Sequence, residues 1–114
     1  MIQAIELIRK YKSETNMIEV KSAAVGFPRR CYDSFSSFAN KNGGLIIFGI
    51  NEDKGFISEN VYNVKELQKQ ISSLCNDSMK PKIRAEILPM EFEGKNILAV
   101  KINELQQNKK TLLL

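Results

Sequence analysis

The chain has 114 residues, 43% of them hydrophobic and 26% charged, a size and balance that fit one folded domain and exclude wholesale disorder. It carries a net charge of +4 and no histidine, which removes histidine bases, imidazole metal ligands and zinc-finger patterns. Its two cysteines, Cys31 and Cys75, form no CxxC and read as buried, reduced thiols rather than a disulfide.

The N-terminal segment predicts an amphipathic helix over about residues 2–12, with Ile2, Ile5 and Ile8 at helical spacing beside Leu7 and Tyr11. Its charges follow its apolar residues and no small-residue cleavage site occurs, so it does not read as a secretory signal. Ser13 to Asn16 is polar and predicts a turn. Met17 to Ser22 predicts a strand, with Met17, Glu19 and Lys21 on one face and Ile18 and Val20 on the other. Gly26 breaks the chain, and Pro28 opens a helix on which Cys31, Phe35 and Phe38 recur at helical spacing. Gly43-Gly44 ends that helix.

The continuous apolar run Leu45 to Ile50 predicts a central strand buried on both faces, and Asn51 to Gly55 a turn. Asn63 then starts a helix with Glu66 as its capping-box partner and Val64, Leu67, Ile71 and Leu74 as its apolar stripe. Lys82 to Leu88 alternates, Ile83, Ala85 and Ile87 one way and Lys82, Arg84 and Glu86 the other. Glu93-Gly94 predicts a hairpin turn, and Ile97 to Ile102 the return strand. The expected architecture is α+β, a two-layer sandwich with a mixed sheet in the order α-β-α-β-α-β-β, forming one domain over residues 1–114. The tail ELQQNKKTLLL closes on apolar residues and reads as the cut end of a longer protein, of which this would be the N-terminal fragment. No apolar run is long enough to span a membrane, and the expected location is the cytoplasm.

Charge is unevenly spread. Residues 1–41 and 79–114 are basic, whereas 42–78 is acidic. A basic surface would follow if the two ends met. Lys80, Lys82 and Arg84 cluster in the second basic stretch, and a basic sheet face there would hold backbone phosphates without reading bases. Arg29 and Arg30 stand at a helix start, where cations oppose the helix dipole, a placement that suits either a ligand or plain solubility. Lys21 would pair with Glu19 or contact phosphate. The loop Asn40-Lys41-Asn42-Gly43-Gly44 is first a helix stop; its small residues also leave amides and a lysine available to a phosphate. There is no GxxxxGK[ST], so nothing supports an ATPase loop. Among the phenylalanines, Phe35, Phe38 and Phe48 read as core, while Phe56 and Phe92, beside turns, are candidates for stacking bases.

Three patterns combine: E-x-x-x-x-E-V-K at Glu14, Glu19, Val20 and Lys21; F-A-N-K-N-G-G at Phe38 to Gly44; and the apolar strand ending G-I-N-E-D at Gly49 to Asp53. From about Glu14 to Ile102 the chain resembles the AlbA-like domain of Schlafen proteins and bacterial transcriptional regulators. Val20, Ser37 and Asn51-Glu52 depart from the usual family residues. The resemblance implies a nucleic-acid-binding module that grips mainly the phosphate backbone, DNA before RNA, with no cofactor. It also implies a homodimer as a partner state, since AlbA-like proteins commonly pair. Two other functions stay open. In Schlafen endoribonucleases three acidic residues form the active site; the matching positions are Glu14, Glu19 and Glu52, which would hold Mg²⁺ or Mn²⁺ and activate water. The remaining possibility is a purely structural, dimerising domain.

Overall fold

The computed structural model describes residues 2–11, 17–28 and 31–106. Glu14, Arg29 and Arg30, the turn over 12–16 and the tail from 107 lie outside the described residues. Helix α1 (Ile2–Tyr11) leads to strand β1 (Ile18–Lys21), helix α2 (Cys31–Asn40) and strand β2 (Gly44–Phe48). A short hairpin of β3 (Ile50–Asn51) and β4 (Ile57–Ser58) follows, joined by a 3₁₀ turn over Glu52–Lys54. Helix α3 (Val64–Ser73) runs on through a π-helical turn, Leu74–Ser78, and the long strands β5 (Ala85–Phe92) and β6 (Lys95–Ile102) complete the fold.

The main sheet has the order β1-β2-β6-β5. β1 and β2 are parallel; β2–β6 and β6–β5 are antiparallel. The expected mixed α+β fold is therefore present. Strand alternation divides the core in two. Ile46 and Phe48 of β2, with Leu98, Val100 and Ile102 of β6, pack against Phe35 and Phe38 of α2 and Leu67 and Ile71 of α3. Ile47 and Ile97 face the other way, onto Ile5 and Ile8 of α1, Ile50 and Phe56. β2 is thus buried on both faces, as its unbroken apolar run predicts.

The end of α2 shows why two glycines stand together. Gly43 takes φ +80° and donates its amide to Phe38 O at 2.8 Å, closing the helix with a left-handed residue. Gly44 already belongs to β2, and a Cβ there would lie 2.4 Å from the Phe38 ring. Asn63 caps α3 as expected, its side chain accepting from the Glu66 amide at 3.0 Å.

Four expectations are corrected. The strand predicted over 45–50 breaks at Gly49, whose φ of +113° turns the chain off β6 and into the β3–β4 hairpin. The strand predicted over 82–88 begins only at Ala85 and continues to Phe92, carrying Pro89 in its middle. Proline is tolerated there because β5 is an edge strand. Lys82 and Arg84 therefore precede the sheet instead of lining its face. Finally, Phe56 is no stacking platform. It is 4% exposed and packed under α1, with φ +63°.

One ionic clamp ties α1 to both hairpins. Arg9 donates through Nη1 and Nη2 to the two oxygens of Glu93, each at 2.7 Å, and through Nε to Phe56 O at 3.0 Å. Its guanidinium lies 5.2 Å from the centre of the Phe92 ring, so that ring too is already engaged by a cation. Ser58 Oγ adds a third donor to Glu93 at 2.9 Å. Glu93 and Gly94 both have positive φ, 52° and 74°, as two-residue hairpin turns require.

Two outcomes are expected. Gly49→Ala should lower unfolding free energy by about 2 kcal/mol or more, from left-handed strain plus overpacking, since a Cβ would meet Ile97 Cγ2 at 2.6 Å and Glu59 O at 2.9 Å. An unchanged urea midpoint would show that the turn is not constrained in this way. The Arg9 and Ser58 hydrogen bonds hold the Glu93 carboxyl down to about 2, from its ordinary 4.5. The depressed value means its stabilisation is fully present above about pH 4.5 and is lost as pH falls toward 2. Acid unfolding of Glu93→Gln should accordingly fall off less steeply between those pH values, as followed by circular dichroism.

Candidate nucleic-acid interface

The α2–β2 turn lies directly on the exit of β6. A Cβ on Gly43 would come within 2.5 Å of Ile102 O and 3.3 Å of Glu104 N, so only backbone fits between them. The emerging segment is then stitched on both sides. Asn103 N donates to Arg84 O at 3.0 Å, and Leu105 N donates to Ala39 O at 2.9 Å, satisfying a carbonyl in the last turn of α2. Ile83 N in turn donates to Cys75 O at 3.1 Å, holding the approach to β5 against the end of α3. Three stretches remote in sequence thus meet at one end of the sheet: the Asn40–Gly44 loop, the Lys82–Arg84 approach, and residues 103–106.

Two clefts open there. One, of about 320 Å³, is lined by Lys82, Arg84, Asn103, Glu104, Leu105 and Gln106. The other, of about 340 Å³, has Asn42, Gly44, Leu45, Met17 and Lys101 on its walls. They adjoin at Asn103 and Glu104, which line both. Lys82 and Arg84 share a cleft even though neither sits on a strand. Lys101 was not singled out in the sequence; its strand position opposite Leu45 and Glu86 puts it here. Lys41 is exposed on the neighbouring turn, and Lys80 is exposed two residues before Lys82. The buried side-chain oxygen of Asn40 has no hydrogen-bond partner among the described residues.

Elsewhere the candidate residues have local partners. Lys21 Nζ lies 3.4 Å from Glu19 Oε2, both side chains about a quarter exposed, and Ser34 Oγ of α2 donates to the same carboxylate oxygen. The ion pair expected as one role of Lys21 is therefore present. Glu52 is exposed at the start of the 3₁₀ turn, on the hairpin that packs toward α1, whereas Glu19 faces α2. Among the described residues no group of three His, Cys, Asp or Glu side chains could hold a metal ion; Glu14 lies outside them.

A carboxylate that sequence reasoning missed is Glu59. It accepts from Ser22 Oγ at 2.8 Å and Asn51 Nδ2 at 3.1 Å, with Lys54 Nζ at 3.9 Å. The Ser22 hydrogen bond, then that of Asn51, lowers its pKa. Its amide also donates to Gly49 O at 2.7 Å, so it locks the hairpin to the ends of β1 and β2. Only the break at Gly49 brings these residues together, and nothing in their spacing announces it.

The comparisons with known proteins agree with this architecture. The family model described as Schlafen, AlbA_2 matches residues 11–112, and the chain belongs to that family. Its fold is similar to the N-terminal domain of an ATP-dependent DNA helicase RecG-related protein from Nitrosomonas europaea, with a TM-score of 0.80 at 21% identity over 96% of this chain and 76% of that one. It is also similar to the DIP2311 protein from Corynebacterium diphtheriae, with a TM-score of 0.56 at 16% identity. That match takes in 95% of this chain but 24% of the larger one. No curated protein matches the chain. The family associates the domain with nucleic acid, and among the described residues no helix is long and apolar enough to cross a membrane.

Both thiols are unsuited to nucleophilic work. Burial pushes Cys31 up to about 12, despite nearby Lys21, and Cys75 up to about 11. Neither should react appreciably with a disulfide reagent at pH 8 in the native protein, and both should react in guanidinium. Native-state reaction at the denatured rate would show that these sites are open.

Proposed function

We propose that this domain binds nucleic acid by its phosphate backbone at the Lys82–Arg84 end of the sheet, DNA in preference to RNA, as the recognition module of a transcriptional regulator. The observation that carries this reading is the shared cleft. Lys82 and Arg84 line one concavity, which adjoins the cleft walled by Asn42 and Gly44 of the glycine loop. Lys82 and Arg84 would each neutralise a phosphate and release its counterion, and Arg84 can engage two phosphate oxygens at once. Backbone contact of this kind positions the strand and carries no base information. Family membership supports the nucleic-acid class, and the Nitrosomonas relative's description as a DNA helicase-related protein favours DNA. The reading needs no cofactor.

Fluorescence-anisotropy titrations of labelled DNA at several salt concentrations test it. Affinity should fall linearly on logarithmic axes as salt rises. Lys82→Ala or Arg84→Ala should weaken binding about equally for unrelated sequences and reduce the salt slope by about 1 each. The reading is lost if native protein shows no binding at low salt, or if both variants bind as the parent does.

A further inference from the structure

We infer that the cleft beside Lys82 and Arg84 receives a nucleobase, so that the ligand of this site is a single-stranded polynucleotide rather than a duplex. The inference rests on the phosphate-binding reading above and concerns the neighbouring cavity. Met17 and Leu45 form its apolar wall, and Met17 is 46% exposed although it is a large hydrophobic residue. Asn42 and Asn103 stand at its rim with amides able to donate and accept, and its volume of about 340 Å³ falls within the range of small-ligand sites. An apolar slot with a few polar groups at its edge suits a flat, uncharged heterocycle.

Charge sorts the two clefts. Lys82 and Arg84 belong to one and not to the other. Glu104 stands on the partition and lines both. In the first cleft two cations face it. In the second, Lys101 is the one cation on the wall among the described residues, and Glu104 opposes entry of another phosphate. A group that is covalently next to a phosphate, uncharged, and apolar on its faces fits the second cleft. In a nucleic acid that group is the base. Duplex DNA keeps its base faces stacked inside, so a base can enter this slot only from a single strand or by being unstacked and unpaired first. Aliphatic side chains give no selection between bases, so the site would be tolerant of sequence.

The experiment compares three 12-nucleotide probes of equal length on the intact chain: oligo-dT, an abasic phosphodiester chain of the same charge, and a mixed-sequence duplex. Oligo-rU is run in parallel to separate DNA from RNA. Oligo-dT or oligo-rU should bind about tenfold more tightly than the abasic chain, and more tightly than the duplex. Met17→Ala should shrink the gap between based and abasic chains to within about threefold while leaving abasic binding intact, because it removes apolar wall but no cation. Arg84→Ala should weaken both chains alike. Equal affinity for based and abasic chains, or preference for the duplex, overturns the base slot and leaves phosphate binding standing. Absence of binding to any probe overturns both.

Discussion

Two pieces of backbone at the Lys82–Arg84 end of the sheet lie together with no side chain between them, and the candidate interface depends on that contact. Gly43 sits against the Ile102 carbonyl and the Glu104 amide so closely that a methyl group would collide at 2.5 Å. Because the turn can approach this far, Leu105 reaches the last turn of α2, and Asn103 reaches Arg84. Arg84 is thereby anchored through its own carbonyl, and Lys82 through the amide of its neighbour Ile83, which donates to Cys75 O. Cations held on such a frame lose less freedom on meeting a ligand than cations on long free loops, which is where pre-organisation contributes to binding.

The opposite end of the sheet is held together by another kind of chemistry. There the constraints are charged and polar side chains: Arg9 with both oxygens of Glu93, and Glu59 with Ser22 and Asn51. Gly49 makes this arrangement possible by directing the chain away from β6. These carboxylates are already occupied by donors. For Glu59, Ser22 and Asn51 account for both oxygens, which explains a lowered pKa without any appeal to catalysis. Glu19 also has local partners, its Oε2 being shared by Ser34 and Lys21.

Much of the fold was legible because the strongest signals are periodic. The stripe of Leu67 and Ile71, the alternation around Ile97 to Ile102, the Asn63 cap and the Glu93-Gly94 turn all reflect local rules that tertiary packing did not oppose. What escaped was set by contacts distant in sequence. Gly49 lies within an apolar run that looks continuous, and only its crowding against Ile97 and the Glu59 carbonyl reveals a break. Lys82 and Arg84 alternate like strand residues, yet the Ile83 bond to Cys75 keeps them with the turn after α3. Phe56 looked exposed because it borders a glycine turn, but a positive φ folds it inward beneath α1. Lys101 lay unremarked in an alternating strand, since the loop that faces it is contributed by residues some sixty positions earlier, a separation that spacing rules do not span.

A net charge of +4 is modest for the proposed polyanion-binding role, and the spacing of the charges shows why the sum is a poor guide. β5 is eight residues long, so at about 3.3 Å per residue Arg84, just before it, stands roughly 25–30 Å from Glu93, just after it. At physiological ionic strength the screening length is about 8 Å, so the acids around the hairpin end are some three screening lengths from the basic clefts and scarcely offset them. What a phosphate meets is the local set: Lys82, Arg84, Lys101 and Lys41, tempered by Glu86 and Glu104. That local excess is small. It suits a site that holds a short stretch of strand through one or two phosphates, with the surrounding shape and any apolar contact supplying the remainder. A strongly basic domain could bind duplex indiscriminately by charge alone; under the proposed reading, so small an excess leaves more of the work to what lies between the charges.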